Sequence, residues 1–280
     1  MIRLPSHAGS FYASSENILK KQVEECFLHS LGPRELPKVK DGPRIVTSLI
    51  CPHAGYMFSG PVAANGYFFA AQDGLPESVI VLGPNHTGYG SGVSIIVEGR
   101  WMMPFGDVAI DEVLAKEVQQ ASQLIDIDES GHRFEHSIEV QLPFLQYVFG
   151  EDFKLVPICM MMQDLETSRD VGEAISKAVS GKNVLIIAST DMSHYEPQKI
   201  AEAKDRLALE AILELDAARL QSIVASKEIS MCGCGPVSAA VIASKKLGAT
   251  QSKLLSYMTS GDITGDQDQV VGYASIALTK

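Results

Sequence analysis

No hydrophobic run in this sequence approaches the roughly 18–20 residues that a transmembrane helix needs, so we expect no membrane span. Basic residues are also scarce: 23 Lys and Arg residues stand against 34 Asp and Glu residues, which gives a formal net charge of −11. Proteins that bind nucleic acids or anionic membranes normally carry a basic surplus. The charge balance therefore argues against both kinds of partner.

Cysteine is infrequent, and its count of five is odd. The N-terminus lacks the apolar segment of a secretory signal peptide. An odd set of thiols without an export signal is typical of a reducing compartment. We therefore expect free cysteines in a cytoplasmic protein.

What the sequence does contain is typical of a globular protein. Hydrophobic residues make up 46% and charged residues 20% of the 280 residues, which excludes intrinsic disorder. The composition is even along the chain, without internal repeats or low-complexity segments. We therefore predict a single domain over residues 1–280.

Short β-rich runs alternate with helical patterns. Strands are predicted at 45–51, 78–82, 93–97, 154–159, 183–189, 253–258 and 270–278. Helices are predicted at 15–29, 111–120, 137–149, 164–179, 197–215 and 236–247. Pro143 is expected to kink the third helix or delay its start. The alternation predicts an α/β sandwich, with a central mixed sheet that is largely buried and flanked by helices.

Three of the predicted strands are each followed within a few residues by a histidine. These are His53, His86 and His194, and the last of them comes three residues after Asp191. In α/β folds, ligands gather beyond the carboxyl ends of the strands. A lone histidine in such a place is commonly a hydrogen-bonded loop residue, but three at equivalent strand ends favour a shared metal or acid–base site.

Two further motifs could add side chains to this site. Cys232 and Cys234, separated by one glycine before a predicted helix, are either buried thiols or the source of one thiolate ligand. His136 and Glu139 lie three residues apart at a predicted helix start and could bind a metal. Alternatively, Ser137 caps this helix and Glu139 simply favours its positive end.

These motifs occur together, in this order, in a known family. Its pattern comprises Ser-His-Ala-Gly-Ser-Phe-Tyr at 6–12, Pro-His-Ala-Gly-Tyr at 52–56, Gly-Pro-Asn-His at 83–86, Glu-His-Ser-Ile-Glu at 135–139, Asp-x-x-His at 191–194, Cys-Gly at 232–233 and Ser-Gly-Asp at 260–262. With this set the sequence resembles the Memo family over essentially its whole length. The resemblance implies a fold similar to that of class III non-haem iron extradiol dioxygenases.

The resemblance also implies roles for individual residues. In those dioxygenases two histidines and a carboxylate hold Fe(II), and another histidine handles protons. By position, His53 and His86 correspond to the histidine ligands and His194 to the acid–base group. Cys232 stands where the carboxylate would be, whereas Cys234 lies outside the family's Cys-Gly pair. Fe(II) is the metal that the resemblance favours. A thiolate is a softer ligand than a carboxylate, so copper or zinc are alternatives. For the same reason the ring-cleaving activity of the dioxygenases cannot simply be assigned to this sequence.

Three functions are compatible with this reading. The first is an iron- or copper-dependent redox enzyme of unknown substrate, in which His194 moves protons and is held by Asp191 or His136. The second is a binding module that uses the old active-site cleft for a peptide or a protein. The third is a zinc hydrolase with His194 or Glu139 as the base. The resemblance further implies radical-SAM and AMMECR-type proteins as partners.

Overall fold

Twelve β-strands and nine α-helices alternate along the chain in a computed structural model that describes residues 1–280. The strands are β1 (Ile2–Arg3), β2 (Val46–Cys51), β3 (Ser78–Pro84), β4 (Val93–Ile95), β5 (Arg100–Met103), β6 (Gly106–Ala109), β7 (Asp126–Ile127), β8 (Lys154–Met160), β9 (Val184–Ser189), β10 (His194–Glu196), β11 (Gln251–Thr259) and β12 (Val270–Thr279). The helices are α1 (Glu16–Leu28), α2 (Tyr56–Gln72), α3 (Glu112–Ala121), α4 (Leu142–Phe149), α5 (Leu165–Ala178), α6 (Gln198–Leu213), α7 (Ala217–Ser226), α8 (Cys234–Lys246) and α9 (Gly261–Thr264). None of these helices has both the length and the apolar composition needed to span a bilayer.

Nine of the strands form one mixed sheet, as the sequence predicted. At its centre β2, β9, β3 and β8 lie side by side in that order and run parallel. β4 pairs antiparallel with β8, and β12 pairs antiparallel with β2 on the other side. The remaining strands β1, β5 and β6 form a small second sheet. The four parallel strands therefore end at one shared edge.

Helices cover both faces of this sheet. Successive side chains of a strand point to opposite faces. In β2, the Ser48 hydroxyl lies 2.6 Å from the Ser244 hydroxyl of α8. Cys51, three positions further along, faces α2, where a β-carbon at Gly66 would lie 2.9 Å from its sulfur. All six residues of β2 are buried, and each fully buried aliphatic side chain contributes about 1.5–3 kcal/mol to folding.

The predicted strands and helices are all present, and most of their ends differ by only a few residues. The largest difference is in the helix predicted at 137–149. Pro143 occupies its first turn, and the α-helix begins only at Leu142, after a short 3-10 helix at Glu139–Gln141. A proline lacks the backbone N–H of a helix interior, so the start is delayed as expected.

Helix α2 was not predicted. It packs against α1, α4 and the sheet, so apolar residues occupy almost its whole circumference. A helix without a polar face shows no 3.6-residue periodicity. Pro61 and two glycines further weaken the helical signal.

Candidate metal centre

Three neighbouring parallel strands bring the candidate residues to one edge of the sheet. β2 leads to His53, β3 leads to His86, and β9 between them ends at Ser189. Cys232 reaches this edge from the loop before α8. Gly233 allows that loop to approach, because a β-carbon there would lie 2.5 Å from the Ser189 carbonyl oxygen.

His53, His86 and Cys232 form a group that could hold one metal ion. Their ligand atoms all lie within 4.8 Å of one another. The sulfur of Cys232 is 3.3 Å from Nε2 of His53. His53 is buried and His86 is exposed, so the group is open to solvent on the side of His86. Three protein ligands beside an open side are typical of metal sites that accept a further ligand.

Hydrogen bonds determine which nitrogen of His53 carries the proton. The Ser189 hydroxyl donates its single hydrogen to the carbonyl oxygen of Ser137 at 2.6 Å. It therefore accepts hydrogen bonds from Nδ1–H of His53 at 2.7 Å and from the Gln141 amide at 2.8 Å. Burial, together with the neighbouring histidines, lowers the pKa of His53, so its ring is neutral. Nε2 of His53 is thus left with a lone pair beside Cys232.

Glu135 determines which nitrogen of His86 carries the proton. One carboxylate oxygen accepts Nδ1–H of His86 at 2.9 Å, and the other accepts the backbone N–H of His86 at 2.5 Å. The backbone N–H of Ser137 donates a third hydrogen bond at 2.9 Å. Burial alone would raise the pKa of Glu135, but these hydrogen bonds and the nearby imidazoles lower it to about 2. Glu135 is therefore an ionised acceptor, and Nε2 of His86 is the nitrogen free to bind a metal.

The thiol of Cys232 accepts the backbone N–H of Asp191 at 3.2 Å. Burial, reinforced by the nearby Asp191 carboxylate, raises the pKa of Cys232. Without a metal the thiol is therefore protonated and donates toward Nε2 of His53. A bound metal ion would reverse this protonation state, because coordination holds a thiol deprotonated.

His194 and Asp191 lie at the same edge, but they do not form the expected hydrogen-bonded pair. Nδ1–H of His194 donates to the Ser230 carbonyl oxygen at 2.8 Å, so neither Asp191 nor His136 holds this ring. The Asp191 carboxylate turns instead toward the end of β2 and accepts the backbone N–H of His53 at 2.8 Å. Burial outweighs this hydrogen bond and raises the pKa of Asp191 to about 6.

His136 lies directly beside His86. The two rings stack with centroids 4.5 Å apart and planes 29° apart. Nδ1 of His136 is 3.3 Å from the same Glu135 oxygen that binds His86. Phe11 covers the ring at a centroid distance of 4.5 Å, and His7 meets it edge-on at 5.5 Å. Burial lowers the pKa of His136 to about 4, so the ring is neutral near pH 7.

Glu139 serves the fold and not the metal group. It is fully buried and forms an ion pair with Arg3 at 2.6 Å. It also accepts the Tyr12 hydroxyl at 2.6 Å and the backbone N–H groups of Ser6 and His7. With its oxygens occupied by the N-terminal segment, Glu139 is not available as a ligand or a base.

Of the alternatives that the sequence left open, the Ser137 cap is wrong. Ser137 caps no helix, because its hydroxyl donates to the Pro84 carbonyl oxygen at 2.8 Å and so ties the segment to the end of β3. Cys234 is a buried thiol at the first residue of α8, which begins two residues earlier than predicted.

The side chains that orient the histidines were not predicted from the sequence. Glu135 was noted only as part of a motif, although a carboxylate directly before His136 was a usable signal. Ser189 is the last residue of β9, and the position of a polar residue at a buried strand end could also have drawn attention. Gln141 and Ser230 act through contacts with distant parts of the chain, for which the sequence holds no local signal.

Known proteins match this chain over nearly its whole length. Residues 3–277 match the family model for the Memo-like protein. A MEMO1 family protein of Methanopyrus kandleri is 49% identical over 282 residues, with all of both chains covered. A MEMO1 family protein of Methanothermobacter thermautotrophicus is 48% identical, covering 99% of this chain and 100% of that relative.

Among solved structures, an uncharacterized protein from Escherichia coli K12 superposes with a TM-score of 0.57. It is 12% identical, and the match covers 83% of this chain and 99% of that one. This likeness supports the α/β fold alone. The family model and the archaeal relatives together show that the chain belongs to the Memo-like family.

Proposed function

We propose that this chain is a metal-dependent redox protein that holds its ion between His53, His86 and Cys232. The observation that carries the proposal is the hydrogen bonding of the two imidazoles. Ser189 and Glu135 each take the Nδ1–H of one ring, so both free Nε2 atoms are lone-pair ligands. This donor set of two imidazoles and a thiolate fits a borderline or soft metal. Iron is the first candidate and copper the second.

The remaining side chains at this edge suit proton transfer. Nδ1–H of His194 donates to the Ser230 carbonyl oxygen, which leaves Nε2 of His194 toward a bound molecule. His136 offers a neutral imidazole, and Asp191 a carboxyl whose pKa is raised to about 6. When bound, the metal would supply redox chemistry and open coordination positions, while these residues would bind and move protons.

Metal content and redox behaviour test this function against its alternatives. The protein would be purified without oxygen, and its metals would be counted and titrated with a reductant. One redox-active iron or copper per chain supports the proposal. Zinc alone would contradict it in favour of a hydrolase with His194 as base, since Glu139 is occupied. A metal-free protein that also fails to take up Fe(II) or copper would contradict it in favour of a binding module.

Single substitutions test the residues. His53→Ala and His86→Ala should each lose most of the bound metal, because each removes one of three protein ligands. His194→Ala should keep its metal. His29→Ala is a matched control, since this histidine lies at the end of α1, outside the site. Stoichiometric metal in His86→Ala would overturn the ligand set.

A further inference from the structure

Two histidines share one carboxylate oxygen at the edge of the metal group. Oε1 of Glu135 lies 2.9 Å from Nδ1 of His86 and 3.3 Å from Nδ1 of His136. The rings stack on each other with their planes 29° apart. His86 donates a hydrogen bond to this oxygen, whereas His136 lies close to it without forming one. Two stacked rings whose Nδ1 atoms face the same oxygen present their opposite nitrogens side by side.

Glu135 is held firmly enough to impose this arrangement. It is 1% exposed, and its carboxylate also accepts the backbone N–H groups of His86 and Ser137. The backbone carbonyl of Glu135 accepts a hydrogen bond from buried Arg3 at 2.7 Å. An ionised carboxylate only accepts hydrogen bonds, so a ring nitrogen that faces it must carry the proton.

We infer that Glu135 is a positioning residue that sets the tautomer and the orientation of His86 and His136 together. Both rings are held with the proton on Nδ1. His86 then offers the lone pair of Nε2 to the metal, and His136 offers an equivalent lone pair beside it to a molecule bound there. This inference rests on the proposed metal function for its consequence, but the proton positions follow from the hydrogen bond of His86 and from the approach of His136 to the same carboxylate oxygen.

The matched variants are Glu135→Gln and Glu139→Gln. Glutamine at 135 keeps the size of the side chain but replaces one accepting oxygen by a donor, so it cannot accept from all the donors around Glu135. Glu139 is an equally buried carboxylate in the same segment, but it bonds Arg3, Tyr12 and backbone N–H groups and touches no imidazole. A general disturbance of the segment would affect both variants. A positioning role belongs to Glu135 alone.

Proton positions can be read directly in the metal-free protein. Long-range ¹H–¹⁵N correlation spectra distinguish Nδ1–H from Nε2–H in histidine labelled with ¹⁵N. Wild-type protein and Glu139→Gln should show the Nδ1–H form for both His86 and His136. Glu135→Gln should shift both rings toward the Nε2–H form. An Nε2–H form of either ring in the wild type overturns the inference even if Glu135→Gln does not fold.

Metal affinity provides the second measurement, with Co²⁺ as the probe. Glu135→Gln should weaken Co²⁺ binding about 10–100-fold, the usual effect of losing the hydrogen-bond partner of a ligand histidine. Glu135→Asp, which restores the carboxylate, should recover part of that loss. Unchanged tautomers and unchanged affinity in Glu135→Gln, or an equal change in both in Glu139→Gln, would contradict the positioning role. A wild-type protein that binds no Co²⁺, Fe²⁺ or copper would instead contradict the proposed function and leave the tautomer result standing.

Discussion

Cys232 and Cys234 face different surroundings, although only one glycine separates them. The sulfur of Cys232 lies 3.3 Å from Nε2 of His53, whereas Cys234 is buried in α8. We predict that Cys232→Ser removes most of the metal and that Cys234→Ser leaves the metal stoichiometry unchanged, because only the first replaces a ligand. Metal per chain after loading with Fe(II) in the absence of oxygen provides the measurement.

Cys232→Glu is the informative companion of this pair. It would place a carboxylate beside His53 and His86, which is the donor set that non-haem Fe(II) enzymes use. We expect this variant to bind Fe(II). Loss of metal in Cys234→Ser with full retention in Cys232→Ser would show that the thiolate assignment is wrong.

His132 is a fully buried histidine outside the metal group. Its Nε2–H donates to the Ser94 carbonyl oxygen at 3.0 Å, and its ring meets Trp101 edge-on at 6.0 Å. Burial, reinforced by the charge of Arg3, lowers the pKa of His132 to about 3. The ring therefore stays neutral in the native state at a pH where a histidine of the unfolded chain is protonated.

This difference predicts how stability depends on pH. Below about pH 6.5 the unfolded chain binds a proton that the native state binds only near pH 3, so the free energy of unfolding falls as the pH falls. His132 alone accounts for up to about 1.4 kcal/mol per pH unit of this fall. His132→Gln keeps a donor for Ser94 but cannot titrate, so we expect a shallower fall. Urea unfolding of the metal-free wild type and of His132→Gln at about pH 4.5 and about pH 7 measures the two free energies of unfolding. An equal fall with pH in both proteins would refute the role of His132.

At the scale of elements, the short strand β1 supports the segment beside the metal group. Arg3 is 1% exposed, and its guanidinium donates to the carbonyl oxygens of His132 and Glu135, each at 2.7 Å. It also pairs with Glu139 at 2.6 Å and lies 4.1 Å from the centre of the Trp101 ring. One side chain of a terminal strand thus holds the backbone on which Glu135 sits.

Replacing Arg3 by methionine tests this support. Arg3→Met leaves the buried Glu139 without its cation, so we expect the free energy of unfolding to fall by about 3–5 kcal/mol. Metal affinity should fall as well, because the Glu135 backbone loses a donor. Arg133→Met, at an exposed arginine of the same region, is the control and should change neither quantity. Urea unfolding measures the free energy of unfolding, and a Co²⁺ titration measures the metal affinity. Wild-type values of both in Arg3→Met would contradict the supporting role of Arg3.

At the scale of the whole molecule, the metal group joins distant parts of the chain. His53 and Cys232 are 179 positions apart. An ion that binds the native state alone adds about 2.7 kcal/mol of stability at a free concentration of 100 times its Kd. In a chain of 280 residues each kcal/mol raises the Tm by about 2 °C, so this gain corresponds to a rise of about 5 °C. We predict this rise for wild-type protein and its absence in Cys232→Ser. An equal rise in both proteins would mean that the stabilising ion binds elsewhere.

The sequence by itself determined the central strands, most of the longer helices and the edge of the sheet where the site lies. Burial follows from side-chain pattern: β2, β3 and β9 are apolar almost throughout, so they belong at the centre of a covered sheet. Parallel neighbours end at one edge, which is why His53 and His86 could be expected close together. Helix α2 was not predicted from its side-chain pattern, because a helix that is apolar on all sides has no periodic signal.

Only the tertiary structure decided the proton positions and the partners of the carboxylates. Glu135 and Glu139 lie in one short segment, and nothing in their spacing shows that the first binds His86 and the second binds Arg3. The same holds for His194, which is held by Ser230 and not by Asp191. Hydrogen bonds are short and directional, so their pairing depends on how remote segments meet to within tenths of an ångström. Burial, in contrast, follows from the pattern of apolar residues within each helix or strand, which the sequence already contains.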